Sequence, residues 1–180
     1  MRSILIFLLA GVLLAGSAAH ASEDADFGVA PASTLRLAEL SAPTPREIPG
    51  AKVMRTAELR DRLRAAEAER PLLFDVLGGE QHDSLPGAIW LPGAGRGNSY
   101  DDAVQAQLAR LLQAASKSDA GRAMVFFCQG TACWLSYNAA LRAVALGYRA
   151  VYWYRGGIEA WLAGGGPLAP LRFSWRKPAP

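Results

Sequence analysis

The chain has 180 residues, and its 19 Lys and Arg against 16 Asp and Glu give a net charge of +3. Because this charge is small and scattered along the chain, it does not favour a nucleic-acid-binding protein. Hydrophobic residues make up 51% of the sequence, enough for one compact domain with its own core. The two cysteines are too few to build a disulfide scaffold, so the fold must depend on that core.

Residues 1–21 have the pattern of a secretory signal peptide. Arg2 precedes an uncharged apolar run from Ile4 to Ala15, and the stretch closes on Ala19-His20-Ala21. The run is shorter than the roughly 20 residues that a membrane-spanning helix needs. The pattern therefore predicts a cleaved signal, with no stable membrane insertion afterwards. We expect a periplasmic protein that begins near Ser22, in an oxidising compartment.

A proline-rich leader is predicted over residues 22–52, before a folded domain over 53–165 and a C-terminal tail over 166–180. The leader contains four prolines and no sustained periodicity: Pro31, Pro43, Pro45 and Pro49. We expect it to wrap the surface of the domain or to stay partly mobile.

Strand-like and helix-like segments alternate through the predicted domain. Short apolar runs predict strands over 71–77, 88–91, 123–128 and 150–154. Helical spacing predicts helices that follow Thr56 as an N-cap and that cover 101–116, 136–147 and 156–165. Such an order is typical of an α/β fold, here a single domain with a parallel sheet flanked by helices on both faces.

Cys128 and Cys133 lie between the strand predicted over 123–128 and the helix predicted from Ser136. The pair could be a disulfide staple, a metal pair, or a nucleophile with a companion. The carboxyl end of a buried strand is where sites of such folds lie. Backbone N–H groups and a helix start would stabilise a thiolate there and depress its pKa. We therefore predict that Cys128 is the nucleophile, rather than a buried small hydrophobe, and that Cys133 is its companion.

The spacing of the cysteines also allows them to bond to each other. A disulfide closes if their Cα atoms come within about 7 Å. A loop of this size stabilises a protein by only about 2–3 kcal/mol, so a staple is a poor sole reason for the pair. We expect such a bridge to be strained, exposed and easily reduced, and Cys128 to be the first to be alkylated at neutral pH in the reduced protein.

Neither a metal nor a bound cofactor is predicted. Two thiols without a second Cys or His pair do not make a structural zinc site. His82 stands alone in a polar loop, where a surface imidazole is expected, and Trp134 replaces the histidine of a haem attachment motif. Several aromatics could form a platform for a flat cofactor such as a quinone, but such residues more often pack in a core.

Four segments together resemble a rhodanese-like domain. They are an Asp75-Val76 pair that ends a strand, a Pro86-Gly87-Ala88 turn, a cysteine loop that begins at Cys128, and a closing element from Gly156 to Trp161. The resemblance implies sulfur transfer, in which Cys128 takes a sulfane sulfur as a persulfide and hands it to a thiophilic acceptor.

The same resemblance implies which residues surround the sulfur. Asp75 would support the site, and the loop residues would bind substrate: Gln129, Gly130, Thr131, Ala132, Trp134 and Ser136. The loop is longer than that of common sulfurtransferases, and Leu135 stands where their arginine closes it. Arg96 and Arg155 could replace that cation from neighbouring loops, although solvated surface charges are expected at both positions. Simple inorganic donors such as thiosulfate are therefore not favoured.

A narrower resemblance comes from the Cys133-Trp134 pair, the Ser136–Ala140 segment, Val151–Tyr154 and the leader residues 42–51. These are similar to the pyrroloquinoline-quinone (PQQ)-dependent catabolism-associated Cys-x-x-Cys-Trp (CXXCW) motif proteins, although four residues separate the cysteines here. The resemblance implies an exported accessory of PQQ-dependent alcohol catabolism. Its partners would be a periplasmic quinoprotein dehydrogenase or its cytochrome, and a small sulfur donor or acceptor.

Two other functions stay open from the sequence. Cys128 and Cys133 could exchange disulfides as a redox couple, which an oxidising compartment permits. Alternatively, the domain could be a non-catalytic binding module that keeps its pocket to hold a dehydrogenase or a small ligand. A trapped persulfide, a reversible internal disulfide, or neither would separate the three functions.

Overall fold

The computed structural model describes residues 23–173 of the chain. The predicted signal peptide and the last seven residues of the predicted tail lie outside this part. Within it, no helix combines the length and the apolar character that crossing a bilayer requires. The predicted α/β architecture, a parallel sheet flanked by helices in one domain, is confirmed.

The secondary structure follows the predicted order, with four additional short strands. The strands of the described residues are β1 Lys52–Val53, β2 Leu72–Asp75, β3 Asp83–Ser84, β4 Ile89–Trp90, β5 Met124–Phe127, β6 Val151–Trp153, β7 Ala169–Pro170 and β8 Arg172–Phe173. The helices are α1 Thr56–Arg64, α2 Ala103–Ser116, α3 Trp134–Ala145 and α4 Gly157–Ala163, with a 3-10 turn at Glu67–Glu69.

Six strands form one parallel sheet in the order β1-β6-β5-β2-β4-β8, and β3 pairs with β7 in a separate antiparallel ribbon. From β2 the chain passes to β4 on one side and then crosses to β5 on the other. The connections that follow β2 and β5 therefore diverge, and in open α/β sheets the carboxyl ends of such neighbouring strands are where sites lie. Asp75 ends β2, and Cys128 directly follows β5.

Strand β5 divides its side chains between two cores. Met124 and Phe126 pack in the core that includes residues of α2 and α3. Val125 and Phe127 pack in the core that includes residues of α1 and α4. Because successive side chains of a strand point to opposite faces, Cys128 continues the alternation and belongs to the first core. Its sulfur thereby faces α3.

All four helix starts differ from their predicted positions by one or two residues, and α4 begins at Gly157 rather than at residue 156. Thr56 is the first residue of α1 rather than its N-cap, and its hydroxyl donates to Glu23 Oε2 over 2.8 Å. Helix α2 begins at Ala103, and the carboxylate of Asp102 accepts a cap hydrogen bond from the Gln105 N–H at 2.8 Å. Helix α3 begins two residues before Ser136, because the leader supplies a carbonyl acceptor for the first N–H of the helix.

The leader wraps the domain, as one of its two predicted alternatives required. The Tyr137 hydroxyl donates to the Ala32 carbonyl at 2.8 Å, and the Asn138 amide donates to the Arg36 carbonyl at 2.8 Å. Further along, Ile48 is buried in the core that contains α3. The leader therefore lies along α3 and close to the cysteine loop that precedes it.

Candidate active site around Cys128 and Cys133

A disulfide joins Cys128 and Cys133, whose Cα atoms lie 6.5 Å apart. Cys128 is 1% exposed and Cys133 is 8% exposed. The expectation of an exposed bridge is therefore wrong. The reason is that both sulfurs face the core under α3, while leader residues cover the loop from outside.

Ser136 lies beside the buried sulfur, and its role in binding substrate stays a prediction. Its Oγ is 3.4 Å from the Sγ of Cys128. The hydroxyl donates to the Cys133 carbonyl at 3.3 Å and accepts a hydrogen bond from the Trp153 indole at 3.0 Å. Since the indole occupies one lone pair, the hydroxyl proton can turn towards either the carbonyl or a Cys128 thiolate. Ser136 is thus placed to stabilise that thiolate.

Trp153, which the sequence offered only as one of several platform aromatics and as part of the Val151–Tyr154 resemblance, contacts the site through Ser136. It lies on β6 opposite Phe126 of β5, so its side chain shares the core that holds Cys128. Its ring meets that of Tyr137 edge to face, with centroids 5.1 Å apart. Packing against Tyr137 thereby helps to hold the Trp153 indole N–H on Ser136. The alternation of side chains along β5 and β6, which places Trp153 in the same core as Cys128, was the signal that could have predicted this contact.

The turn between β5 and α3 contains backbone donors that have no acceptor in the part of the chain that the structure describes. Among residues 23–173, no acceptor receives a hydrogen bond from the N–H groups of residues 129–133. Gln129 and Ala132 are exposed, whereas Gly130 is buried. Because successive free N–H groups in a turn favour a negative charge, this loop suits an anionic sulfur species.

Helix α4 supports the first half of the loop. The N–H of Ile158 donates to the Cys128 carbonyl at 3.0 Å, and the N–H of Glu159 donates to the Gln129 carbonyl at 2.9 Å. The Gln129 amide also donates to Glu159 Oε1 at 3.2 Å. Gly157 precedes these contacts with a φ of +58°, a conformation that glycine adopts without strain. The closing glycine-rich element thus holds the backbone of Cys128.

Trp134 packs under the leader instead of forming an open platform. It is 3% exposed, its N–H donates to the Leu40 carbonyl at 2.9 Å, and its indole donates to the Pro43 carbonyl at 3.1 Å. The Arg36 guanidinium lies over its ring at 4.8 Å. Trp134, one of the predicted loop residues, therefore fixes the loop to the leader.

Asp75 is fully buried at the carboxyl end of β2, but its carboxylate holds another loop. Its Oδ2 accepts hydrogen bonds from Ser84 and, at 3.0 Å, from His82, while Oδ1 accepts from the Leu77 N–H at 2.8 Å. His82 is only 22% exposed and meets the ring of Trp90 edge to face, so the expectation of a surface imidazole is wrong. The cause is the buried carboxylate, which needs donors.

The two candidate arginines have different environments. Arg155 is 2% exposed, so the expectation of a solvated charge is wrong for it. Its guanidinium donates to Thr44 and Glu23 of the leader, and its burial lowers the pKa of the group. Arg96 is exposed as expected, and its neighbour Gly95 packs against the Leu135 carbonyl. A role for Arg96 at the sulfur stays a prediction.

No group of three or more His, Cys, Asp and Glu residues within 23–173 could hold a metal ion.

The model of the rhodanese-like domain family matches residues 55–164. The chain belongs to the rhodanese-like domain family. The match contains both cysteines, Ser136 and α4, whereas the leader precedes it. No curated protein is similar enough to match this rhodanese-like chain.

Solved structures give weaker similarities. Thiosulfate sulfurtransferase from Pseudomonas aeruginosa has a TM-score of 0.49 and 19% identity over 68% of this chain and 21% of its own. The BH2092 protein from Bacillus halodurans has a TM-score of 0.48 and 22% identity over 66% of this chain and 77% of its own. The human single-domain sulfurtransferase has a TM-score of 0.42 and 26% identity over 62% of this chain and 96% of its own. This rhodanese-like chain thus spans about a fifth of the Pseudomonas protein, and its family rests on the domain match.

Proposed function

We propose that this protein transfers sulfur through a persulfide on Cys128, and that Cys133 resolves this persulfide. The observation that carries the proposal is the disulfide between the two cysteines at the carboxyl end of β5. By the resemblance, Cys128 takes the place of the family's loop cysteine, and the bridge joins it to a second cysteine inside the same loop. The N–H groups of residues 129–133, which have no acceptor among residues 23–173, and the hydroxyl of Ser136 add the environment that a sulfur anion needs.

In the loading step, the Cys128 thiolate attacks the outer sulfur of a donor R–S–SH. The donor's sulfur–sulfur bond breaks, R–S⁻ leaves and takes up a proton, and Cys128 holds the sulfur as Cys–S–SH. No electrons enter or leave the system, because the zero-valent sulfur has only changed carriers. The N–H groups of residues 129–133 would stabilise the negative charge before and after the transfer.

Two routes then remove the sulfur. An acceptor thiolate can attack the outer sulfur and regenerate Cys128 as a thiolate. Alternatively, the Cys133 thiolate attacks Cys128 Sγ, which closes the observed disulfide and releases HS⁻. In this second route two electrons pass from the two cysteines to the sulfane sulfur, so a dithiol reductant must reopen the bridge.

The burial of the two sulfurs suggests the direction of that reopening. Cys133 is 8% exposed and Cys128 is 1% exposed, so an incoming thiolate would meet Cys133 first. Cys128 then leaves as a thiolate, next to the Ser136 hydroxyl. A stabilised leaving thiolate accelerates exchange. The geometry therefore supports attack at Cys133 and release of Cys128 ready for loading.

An organic persulfide is the donor class that we propose. Leu135 occupies the place of the arginine that closes common sulfurtransferase loops, and the Arg155 guanidinium is engaged by the leader. Within the described residues, no buried cation is thus directed at the loop for a dianion such as thiosulfate. A hydropersulfide of a small or protein thiol carries less charge and requires less compensation.

For the biological setting we propose an exported accessory of PQQ-dependent alcohol catabolism. The support is the signal-like sequence of residues 1–21 and the similarity of Cys133-Trp134, Ser136–Ala140 and residues 42–51 to the CXXCW-motif proteins. Its partner would be a periplasmic quinoprotein dehydrogenase or its cytochrome. Capture of such a partner from a periplasmic extract of cells grown on an alcohol tests this setting independently of the sulfur-transfer chemistry.

Thiol–disulfide exchange is the second candidate function, because the same bridge favours it. The two candidates differ in whether sulfur ever resides on Cys128. In an exchanger, both cysteines cycle between dithiol and disulfide, and electrons pass to or from a partner thiol pair without any sulfur atom being carried.

Intact-mass measurement separates the candidates. The reduced Cys133→Ser variant is treated with glutathione persulfide, and we expect it to gain one sulfur atom. The wild type should instead return to the disulfide and release sulfide, while Cys128→Ser should gain nothing. Thiosulfate should load the Cys133→Ser variant much more slowly. If no variant gains sulfur but the wild type oxidises a dithiol partner, the exchanger is correct. If neither reaction occurs, a non-catalytic binding module is correct.

A further inference from the structure

The leader makes a direct hydrogen-bonded contact with the cysteine loop through Thr44. The N–H and the hydroxyl of Thr44 both donate to the Thr131 carbonyl, at 3.1 and 2.6 Å. Thr44 is 0% exposed and Thr131 is half-buried. A carbonyl that accepts two hydrogen bonds has little freedom to rotate, and the backbone of Thr131 is therefore fixed by the leader.

The leader also bonds the other side of Cys133. Trp134 donates its backbone N–H to Leu40 and its indole N–H to Pro43. We call residues Leu40–Thr44 the strap. Its four hydrogen bonds reach Thr131, which lies two residues before Cys133, and Trp134, which follows it. The backbone on both sides of Cys133 is thus held by the strap.

The support of Cys128 is separate. Its carbonyl accepts the N–H of Ile158 in α4, and β5 precedes it in the sheet. These elements lie within residues 55–164, the part that matches the rhodanese-like domain family, whereas the strap lies before that part. One cysteine is therefore held by the family domain and the other by a segment outside it.

Arg155 holds the strap in turn. Its Nε donates to the Thr44 hydroxyl at 3.2 Å, and its terminal nitrogens donate to the carbonyls of Thr44 at 2.9 Å and Glu23 at 2.8 Å. The Phe27 ring covers the guanidinium at 5.2 Å. A buried guanidinium is stable only when its N–H groups find acceptors, and here oxygens of the leader supply them. Displacing the strap would leave this cation without the two oxygens of Thr44.

We propose that Thr44, held by Arg155, is a positioning residue for Cys133. By fixing Thr131, it keeps the Cys133 sulfur within reach of Cys128 and so favours closure of the bridge. The proposal deepens the proposed function and rests on the companion role given there to Cys133. It assigns to the leader a part in the redox chemistry of the loop.

The test measures the equilibrium between the dithiol and the disulfide against dithiothreitol, with no sulfur donor present. Thr44→Val removes the hydroxyl and keeps the shape of the side chain. We expect its equilibrium constant for closing the bridge to fall about threefold to tenfold, the range of one lost hydrogen bond. Thr44→Ser should restore the wild-type value, because it keeps the hydroxyl. Thr34→Val, an exposed threonine of the leader, should leave the constant unchanged.

A second measurement separates positioning from general support of the loop. In a Cys133→Ser background, adding Thr44→Val should leave the alkylation rate of Cys128 unchanged within about twofold, since α4 holds that residue. Because Thr44→Val could impair folding, Arg155→Lys serves as a further variant. It keeps the positive charge, loses the forked donors to Thr44, and should lower the same equilibrium constant in a folded protein.

The outcomes are distinct. An unchanged equilibrium constant in folded Thr44→Val and in Arg155→Lys overturns the proposal, as does an equal fall in Thr34→Val. A parallel loss of Cys128 alkylation also overturns it, because the strap would then support the whole loop. If sulfur loading fails in every variant while the constant falls as expected, the sulfur-transfer proposal is wrong and the positioning role of Thr44 stands.

Discussion

Gly157 lies against the backbone of Cys128, and a Cβ atom on Gly157 would come within 2.2 Å of the Cys128 carbonyl oxygen. The φ of Gly157 is +58°, so a side chain there is disfavoured by conformation as well as by space. The closing element of the domain and the nucleophile loop are therefore in contact through backbone atoms. This contact decides which mutations disturb the site from a distance.

Gly157→Ala should destabilise the protein and loosen the cysteine loop. We expect a loss of about 2–5 kcal/mol from the left-handed conformation and the clash with Cys128 together. Gly147→Ala is the matched control, because Gly147 has a φ of +89° with nothing within 4 Å of an added Cβ. It should cost only about 1–2 kcal/mol. Urea unfolding of both variants measures the difference, and equal losses would contradict the close contact.

Trp161→Ala should cost roughly 3–5 kcal/mol, since Trp161 is 5% exposed and fills the core that includes residues of α1 and α4. Its indole also donates to the Pro167 carbonyl at 2.7 Å. Leu162→Ala, next to it on α4 and 49% exposed, should change stability by about 0.5 kcal/mol or less. Thermal and urea unfolding provide the comparison. An unchanged melting temperature in Trp161→Ala would show that α4 is not docked as described.

Asp102→Asn should give a stability loss that depends on pH. Burial alone would raise the pKa of Asp102, but hydrogen bonds from Arg142 and from the N–H groups of Gln105, Ser99 and Asn98 lower it from 3.8 to about 2. Because the folded pKa is depressed, the stabilisation is full above the unfolded value and is lost as the pH falls towards the folded one. We expect a loss of about 2 kcal/mol at neutral pH that nearly disappears near pH 2.

The control for this pH dependence is Asp61→Asn. Asp61 pairs with Arg64 at 2.6 Å, but both side chains are more than 70% exposed, at 72% and 75%. Such a pair contributes little. Urea unfolding from acid to neutral pH should therefore show a pH-dependent difference for the buried pair alone. A loss in Asp102→Asn that stayed constant down to pH 2 would refute the assigned role of its charge.

Cys128 should be alkylated faster than Cys133 in the reduced protein, and Ser136 should contribute to its reactivity. In a Cys133→Ser background at neutral pH, Ser136→Ala should slow labelling by iodoacetamide about threefold to tenfold, because the thiolate loses a donor 3.4 Å away. The two rates should converge well above the ordinary thiol pKa of about 8.5, where both thiols are ionised.

Ser116→Ala is the control for that experiment, since Ser116 is also buried but lies on α2 and contacts the Gln113 carbonyl. In the reduced wild type, peptide mass after graded labelling gives the rate at each of the two cysteines. Faster labelling of Cys133 would make Cys128 the companion rather than the nucleophile. If Ser116→Ala lowers the labelling rate of Cys128 as much as Ser136→Ala does, the effect is one of general destabilisation.

The central part of the fold could be predicted from the sequence. The apolar runs that became β2, β5 and β6 are long enough to bury both faces, so their composition alone identifies them. Their alternation also sends Cys128 to the same face as Phe126, which is a local property of any strand. The four missed strands, β1, β3, β7 and β8, have two residues each, too few to show a period.

Tertiary structure alone decided what surrounds the cysteines. The sequence brought Cys128 and Cys133 within reach of each other, because five positions along a tight turn limit their separation. It could not show that the bridge is buried, or that Arg155 is a buried brace for Thr44, 111 positions earlier. The leader has no periodicity of its own, and its path is set by partners far along the chain, such as Thr131. Those contacts exist only once the domain has folded.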